Sequence, residues 1–484
     1  MNIEKNVNTT IIQQNQSPLS FYRALSIILW LLFFGNVAIL VFNFPKMPEW
    51  SLGHIFKLNG FTFLIWSTVT FFSAIVSSYS ENYLKGFKYH TRFMILCLGF
   101  TLSVMVLVAS NHIIPFLLSW FAMGVFMSKL IGVNTNWKES REAAKFTQKY
   151  FLAGSIFLTI GVLIAAFQSN AFTLSGLTAN WSSMPFYILL LSSLCIIIAA
   201  IIQSAIYPFH KWLLSAMTAP TPASALMHAG FVNGSGILLA LFSTLLFESN
   251  TLNILFVIGG LTAIIAQFTK LLQVNVKQKL ACSTIAQMGF MVMQCGLGFF
   301  NAAVVHLILH GFYKAYLFLS SGEVIEHSNP QKSIKIKINP IQAITVLFFG
   351  ILGALLFTSL TGKGTSLDSG IFLTLIVAIT VGQLTYNIVK QKSLSVIQKV
   401  IFPPVFFIAG IGVYALMYNA VTVLMADMIT IPEPLPLSTV QIVFGIVFLV
   451  GFFIMKLGIY RQVPWLYIKL LNASQPYKKT VFNS

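Results

Sequence analysis

Charge is what this chain has least of. Asp, Glu, Lys and Arg make up 8% of its 484 residues while hydrophobic residues reach 57%, against about 25% charged in soluble domains. That balance excludes a soluble globule and indicates a polytopic membrane protein. Length alone would suggest about three soluble domains. Apolar segments of about 20 residues recur throughout, however, so one membrane domain is expected. Acidic residues are the rarer sign, 11 against 29 basic ones, for a net charge of +18. The spread of that charge excludes a nucleic-acid partner: the positive residues lie in short loops between apolar segments, with no single basic face and no aromatic-interleaved patch. Cysteines number four, Cys97, Cys195, Cys282 and Cys295, all in or beside apolar segments. None forms a CxxC or Cys/His metal spacing, so zinc, iron–sulfur ligation and structural disulfides are not expected, nor is a cofactor. A cleavable leader is not expected either. Met1 to Ser20 is largely polar, and the apolar run at about Ala24–Phe44 is too long for a signal h-region.

Hydropathy places about fourteen spans, near 24–44, 60–80, 93–110, 112–133, 150–168, 186–207, 221–247, 252–272, 281–299, 301–325, 340–361, 370–390, 400–424 and 437–458. The expected organisation is a polar cytoplasmic N-terminus at 1–23, one transmembrane domain at 24–458 and a basic cytoplasmic tail at 459–484. With alternating spans, Lys85, Lys88, Arg92, Lys138, Arg141, Lys145, Lys149, Lys277, Lys279, Lys332, Lys335, Lys337, Lys392 and Lys399 fall on one side, as do Arg461, Lys469, Lys478 and Lys479. The other side holds Glu248, Asp427 and Glu433 and few positive residues. Both termini are therefore expected in the cytoplasm.

Against this apolar background, His306, His310 and Lys314 recur every four residues. On a helix that spacing keeps them on one face, drifting by about 40° per step and spanning roughly 12 Å. A lysine at the bilayer centre costs on the order of 2.5–3.5 kcal/mol on insertion scales, so such a stripe must face a protein interior or a wet path. Imidazole exchanges protons near neutral pH, and an ammonium gives up its proton more readily out of water, which suits a relay. The competing reading is a hydrogen-bonded polar seam that only fixes helix packing.

Proline and glycine punctuation is concentrated. Pro208 breaks the end of span six, Ala219-Pro220-Thr221-Pro222 opens span seven, and Thr361-Gly362-Lys363-Gly364 interrupts the end of span eleven. Broken helices at membrane depth are tolerated where they line a cavity or are buried in protein, and in transporters they mark ion paths in inverted repeats. The breaks lie five spans apart, an odd offset that would invert two five-helix units; ordinary kinks are the alternative. His228 within span seven is a further path candidate or a packing residue. Lys363 is a path residue or a snorkelling lysine, as is Lys270 near the end of span eight. Gln203 could carry water without titrating, and Glu323 could exchange protons with the stripe or cap its cytoplasmic end.

Pro208-Phe209-His210-Lys211-Trp212-Leu213 and Ala219 to Ala229, followed by Val276-Lys277, Ser283 to Gly289 and the His306, His310, Lys314 stripe, resemble the signature of the antiporter-like subunits of respiratory complex I and Mrp cation antiporters. The resemblance implies an all-α membrane protein with two inverted five-helix repeats and a chain of ionisable residues along the midplane, which adds Lys277 to the path. Ala286 to Gly298 resembles, more narrowly, the membrane subunits of DabA–DabB inorganic-carbon transporters. That implies conduction of H+ or Na+ here and CO2 hydration on a cytoplasmic zinc partner of the DabA kind. Departures from the complex I pattern are local. Phe121 follows Trp120 where an acid is usual, Gln203 precedes Ser204-Ala205 where a lysine is usual, and Asn275 replaces an acid. One conducting half is therefore expected, centred on Lys314, with His306 and His310 as relay and Lys363 as the extracytoplasmic outlet.

Overall fold

The structure is a computed structural model that describes residues 19–321, 340–364, 366, 368–389, 394–428 and 435–481. Helices dominate it. In chain order the long ones are α1 (Leu19–Asn43), α2 (Gly60–Tyr83), α3 (His90–Ala109), α4 (Ile113–Ile131), α5 (Lys138–Ser169) and, after the short α6 (Leu174–Asn180), α7 (Phe186–Gln203). The short helices α8 (Lys211–Ser215), α9 (Thr221–Ala229), α10 (Gly234–Leu241) and α11 (Ser243–Glu248) precede α12 (Leu252–Leu271), α13 (Val276–Gly296) and α14 (Phe300–Leu319). Then come α15 (Pro340–Thr361), α16 (Gly370–Val389), α17 (Val396–Leu424), α18 (Thr439–Leu457) and the short α19 (Pro464–Ala473).

Each of the fourteen expected spans coincides with a helix or, for span seven, with a run of short ones. Eleven helices among the described residues are long and apolar enough to cross a membrane. Helices α13, α16 and α18 are the ones that fall outside that set. Helix α13 carries Lys277, Lys279 and a run of small and polar residues through Gly289, which lowers its hydropathy while burying it among its neighbours. A small β-hairpin, Trp50–Leu52 against Phe56–Leu58, adds strand to the all-α expectation. It turns at Gly53, whose φ is +58°, and ties to the start of α4 through Asn111 N–H donating to Ile55 O at 2.8 Å.

Helix ends follow local chemistry. Asn59 and Thr62 form a capping box on α2, and Ser395 and Gln398 form one on α17. Asn275 caps α13, its side chain accepting from Gln278 N–H at 3.3 Å. This position lacks the acid of the resembling family, and the side chain present serves the helix instead. Helix α5 begins twelve residues before the span expected at 150. Lys138–Lys149, read from sequence as a loop, form helical turns that bury Ser140, Ala143 and Thr147, with Glu142 and Lys145 paired at 3.3 Å.

The buried centre is made by α7, α9, α10, α13 and α14, while α1, α15 and α17 are the least buried spans. Helices α12 and α13 pack along one another at glycines. A Cβ on Gly289 would stand 2.7 Å from the Gly259 carbonyl oxygen and 2.7 Å from Ala263 N, so only hydrogen fits at this crossing. Close backbone approach at small residues is the usual means of holding membrane helices together. It fixes α13 firmly, and α13 supplies the partners of Lys314.

Candidate functional site

Span seven breaks in its middle, and the site is built around that break. Helix α9 ends at Ala229, a 3-10 turn follows at Phe231–Asn233, and α10 resumes at Gly234. The sequence reading set the punctuation at Pro208 and Ala219–Pro222, and those prolines do bound α9. The interior break at Gly230 was not anticipated. Interrupting a helix frees carbonyls that a membrane interior cannot hydrate, and here side chains from three places take them. Asn233 Nδ2 donates to Ala229 O at 2.7 Å and to Leu307 O of α14 at 3.1 Å. Gln203 Nε2, at the end of α7, donates to Phe231 O at 3.1 Å. Ser204 donates to Val232 O and meets Ser235 through its hydroxyl. Gln203 thus fastens the broken helix and is not joined to the ionisable cluster.

The cluster lies between α9, α13 and α14. Lys314 is wholly buried. Its Nζ donates to Leu280 O at 3.1 Å and to the Ser283 hydroxyl, both on α13. Leu280 O also accepts from the Ser283 and Thr284 hydroxyls, each at 3.1 Å. Among the described residues no carboxylate joins them. The ion pairs found among the described residues are Arg23–Glu81, Lys57–Glu49 and Lys145–Glu142, all elsewhere. One turn further along α13, the Thr284 hydroxyl lies 2.9 Å from His228 Nδ1, and the His228 ring stacks on Phe318 at 4.3 Å. His310 is buried with neither ring nitrogen hydrogen-bonded, and His228 Nε2 and Asn233 Oδ1 are likewise buried without partners. Buried polar atoms left this way call for water or for transient proton transfer. His306 continues the stripe at 6.0 Å from the His310 ring and packs on Phe290 at 5.3 Å.

The other predicted residues flank this centre. Lys277 Nζ donates to Ala219 O at 3.0 Å, locking the opening of α9 to the start of α13. Lys363 lies at the opposite end of α14. Its ammonium stands 5.1 Å from the Phe299 ring and 5.9 Å from the Tyr418 ring. Lys314 lies fifteen residues along α14 from Phe299, roughly 22 Å at the helical rise. The glycines beside Lys363 both adopt positive φ, +66° at Gly362 and +75° at Gly364, the conformation that glycine alone enters freely. Lys270 is half-buried in the last turn of α12 and has no hydrogen bond to the cluster among the described residues. Glu323 lies outside the described residues. Sequence reasoning passed over Ser283 and Thr284 as partners, although their spacing from Asn275 put them just over two turns inside α13. The stripe therefore faces its hydroxyls from a neighbouring helix, not from its own.

At the same end as Lys277, the C-terminal segment is built into the bundle and is not a free tail. His210 Nε2 meets Ala473 O at 2.8 Å, Gln273 Nε2 donates to Ser474 O at 3.1 Å, and Tyr477 N–H donates to the Ser215 hydroxyl at 2.9 Å. The Tyr477 ring stacks on Phe146 of α5 at 4.4 Å. His210 lies outside the spans, stacked on Tyr207 at 3.7 Å. Burial pushes its imidazole down to about 4 from an ordinary 6.5. The folded value lies below the unfolded one, so the released state takes up a proton that the docked state refuses. The stabilisation is full above about 6.5 and is lost as pH falls through that value toward about 4. Lowering the pH from about 7 to about 5 is thus expected to raise iodide quenching of a fluorophore on Lys478→Cys. In His210→Gln, which can still donate to Ala473, that acid sensitivity should vanish; a variant as acid-sensitive as the parent contradicts the assignment.

A bundle of membrane-crossing helices, one broken at its centre beside a buried lysine and two histidines, is the architecture of an antiporter-like membrane protein. The chain belongs to the NADH:quinone oxidoreductase/Mrp antiporter membrane family, whose model matches residues 110–388. It is 35% identical over 303 residues to the probable inorganic carbon transporter subunit DabB of Bacillus anthracis, covering 62% of this chain and 59% of that one. It is 30% identical over 390 residues to the corresponding subunit DabB2 of Halothiobacillus neapolitanus, covering 79% of this chain and 70% of that one. The chain thus spans 59% of the first relative's length. Among solved structures, the Mrp complex of Dietzia sp. DQ12-45-1b superimposes with a TM-score of 0.64 at 20% identity, over 96% of this chain and 57% of that one, a likeness of fold.

Proposed function

We propose that this chain conducts a cation, H+ or Na+, down its gradient, and that the flux energises accumulation of CO2 as bicarbonate by a cytoplasmic zinc partner resembling carbonic anhydrase, of the DabA kind. The observation that carries conduction is the fully buried Lys314, held by a carbonyl and a hydroxyl with no carboxylate beside it among the described residues. An ammonium at that depth is costly to hold, which marks the residue as functional by default. The route runs from Lys277 at the basic, cytoplasmic end, through Lys314, His228, His310 and His306, to Lys363 at the far end. The half that holds Phe121 and Gln203 serves as a frame: Gln203 is occupied by the Phe231 carbonyl. Likeness to the inorganic-carbon subunits supports the carbon half of the reading, with the carbon chemistry on the partner and none in this chain.

A second reading is a proton-translocating subunit of a complex I-like or Mrp-type complex, favoured by the likeness of fold to the Mrp assembly. The two separate on labelled inorganic-carbon uptake in cells that express this chain with and without the candidate partner, with a protonophore added. The proposal expects uptake that needs both proteins and collapses with the gradient. A stable complex without uptake favours the second reading.

A further inference from the structure

Helix α19 is apolar on both sides. Inward, Leu470 and Leu466 pack with Phe268 and Tyr460 in a small cluster at the end of α12. Outward, Trp465 is 63% exposed, Ile468 55% and Tyr467 37%. An exposed row of that composition is uncommon on a segment facing water. The helix starts seven residues after α18 ends at Leu457 and turns at Gly458, where φ is +72°. Its docked side is fixed by the His210, Gln273 and Ser215 bonds at the end of the bundle where the basic loops gather. Between Gly458 and Val481 the chain carries Arg461, Lys469, Lys478 and Lys479 and no acidic residue. Lys469 folds its ammonium over the Trp465 ring at 4.4 Å, so apolar ring and positive charge share one surface.

We propose that the outward face of α19 is a membrane-surface anchor that seats on anionic phospholipid, with Trp465, Tyr467 and Ile468 in the headgroup boundary and the four basic residues on the lipid phosphates. Tryptophan, tyrosine and lysine are the residues that settle at the membrane interface, and a helix continuous with a membrane-crossing one is delivered to that depth. Basic groups beside such a helix add attraction to anionic lipid. A soluble protein partner on this face is the rival occupant.

The four native cysteines are all buried, so Ile468→Cys can carry a single environment-sensitive fluorophore on the full chain in lipid nanodiscs. The expected result is a blue-shifted emission, quenched by lipids brominated near the headgroup and shielded from aqueous iodide. Quenching should be stronger when phosphatidylglycerol replaces part of the phosphatidylcholine. Charge reversal at Lys469, Lys478 and Lys479 together should abolish that dependence on anionic lipid. Label on Lys138→Cys in the basic helical extension reports the opposite, iodide-quenched behaviour. If Ile468→Cys does not elute as a single species, Trp465→Cys takes its place. Free iodide access at the helix, or shielding that appears only when the soluble partner is added, overturns the proposal.

Discussion

Lys314→Ala is expected to abolish cation-driven inorganic-carbon uptake while leaving the protein folded. A charge crossing the middle of the bundle without a titrating group meets the penalty of an unassisted membrane charge, about 2.5–3.5 kcal/mol on insertion scales, which slows flux on the order of a hundredfold. Folding survives because the partners of Lys314 lose little. Leu280 O keeps the Ser283 and Thr284 hydroxyls, and among the described residues the ammonium leaves behind no charged counterpart. Lys314→Arg sharpens the test. A guanidinium keeps the charge and can still donate to Leu280 O, but it does not deprotonate in proteins. If Lys314 relays by losing its proton, the arginine variant is as inactive as the alanine one. If Lys314 is only a fixed charge that shapes the bundle, arginine restores uptake. Size-exclusion profiles of the three proteins in detergent check that each is folded.

Asn233→Leu should carry the second large effect, on stability and conduction together. The native amide ties the break in span seven to α14, donating to Ala229 O within the span and to Leu307 O of α14. Leucine is of similar size and removes both donors, and a buried acceptor left unmade costs about 1–3 kcal/mol. Gln203→Leu removes one donor, to Phe231 O, and should cost correspondingly less. The two side chains hold neighbouring carbonyls of the same turn, so their effects should not add: the double variant falls short of the sum. Thermal unfolding in detergent measures the stabilities. Conduction should fall in Asn233→Leu well beyond what its reduced yield explains, because α14 carries His306, His310 and Lys314 and is tied to the break through Leu307. An Asn233→Leu protein with native thermal stability and native uptake would remove the break from the account.

What the sequence disclosed and what it concealed divide along a physical line. Span positions were legible because twenty-odd apolar residues are a local property, and helices stand where hydropathy put them. The stripe was legible because a four-residue spacing on a helix is also local. Lys363 between two glycines was legible as a non-helical position, since positive φ belongs to glycine. The partners of these residues were concealed because they come from elsewhere in the chain. Ser283 and Leu280 reach Lys314 across 31 and 34 residues, and Gln203 reaches Phe231 across 28. The mid-span break followed the same rule. Nothing in Ala229-Gly230-Phe231 demands an interruption; Asn233, Gln203 and Ser204 make it affordable from outside. The docking of Ala473–Tyr477 onto His210 and Ser215 spans more than 260 residues and left no local sign beyond the amphipathic residues of α19. Helix α5 exceeds its apolar span for the opposite reason: its first turns are charged, so hydropathy does not register them, although Glu and Lys are good helix formers.

The account rests on ion conduction through Lys314, and flux in proteoliposomes tests that most directly. The chain is reconstituted with its partner, a pH or Na+ gradient is imposed, and its decay is followed for the parent and for Lys314→Ala. The account predicts rapid decay with the parent and decay no faster than protein-free vesicles with the variant. Equal decay in the two would mean that the ion passes elsewhere, and the buried lysine would then be a packing residue.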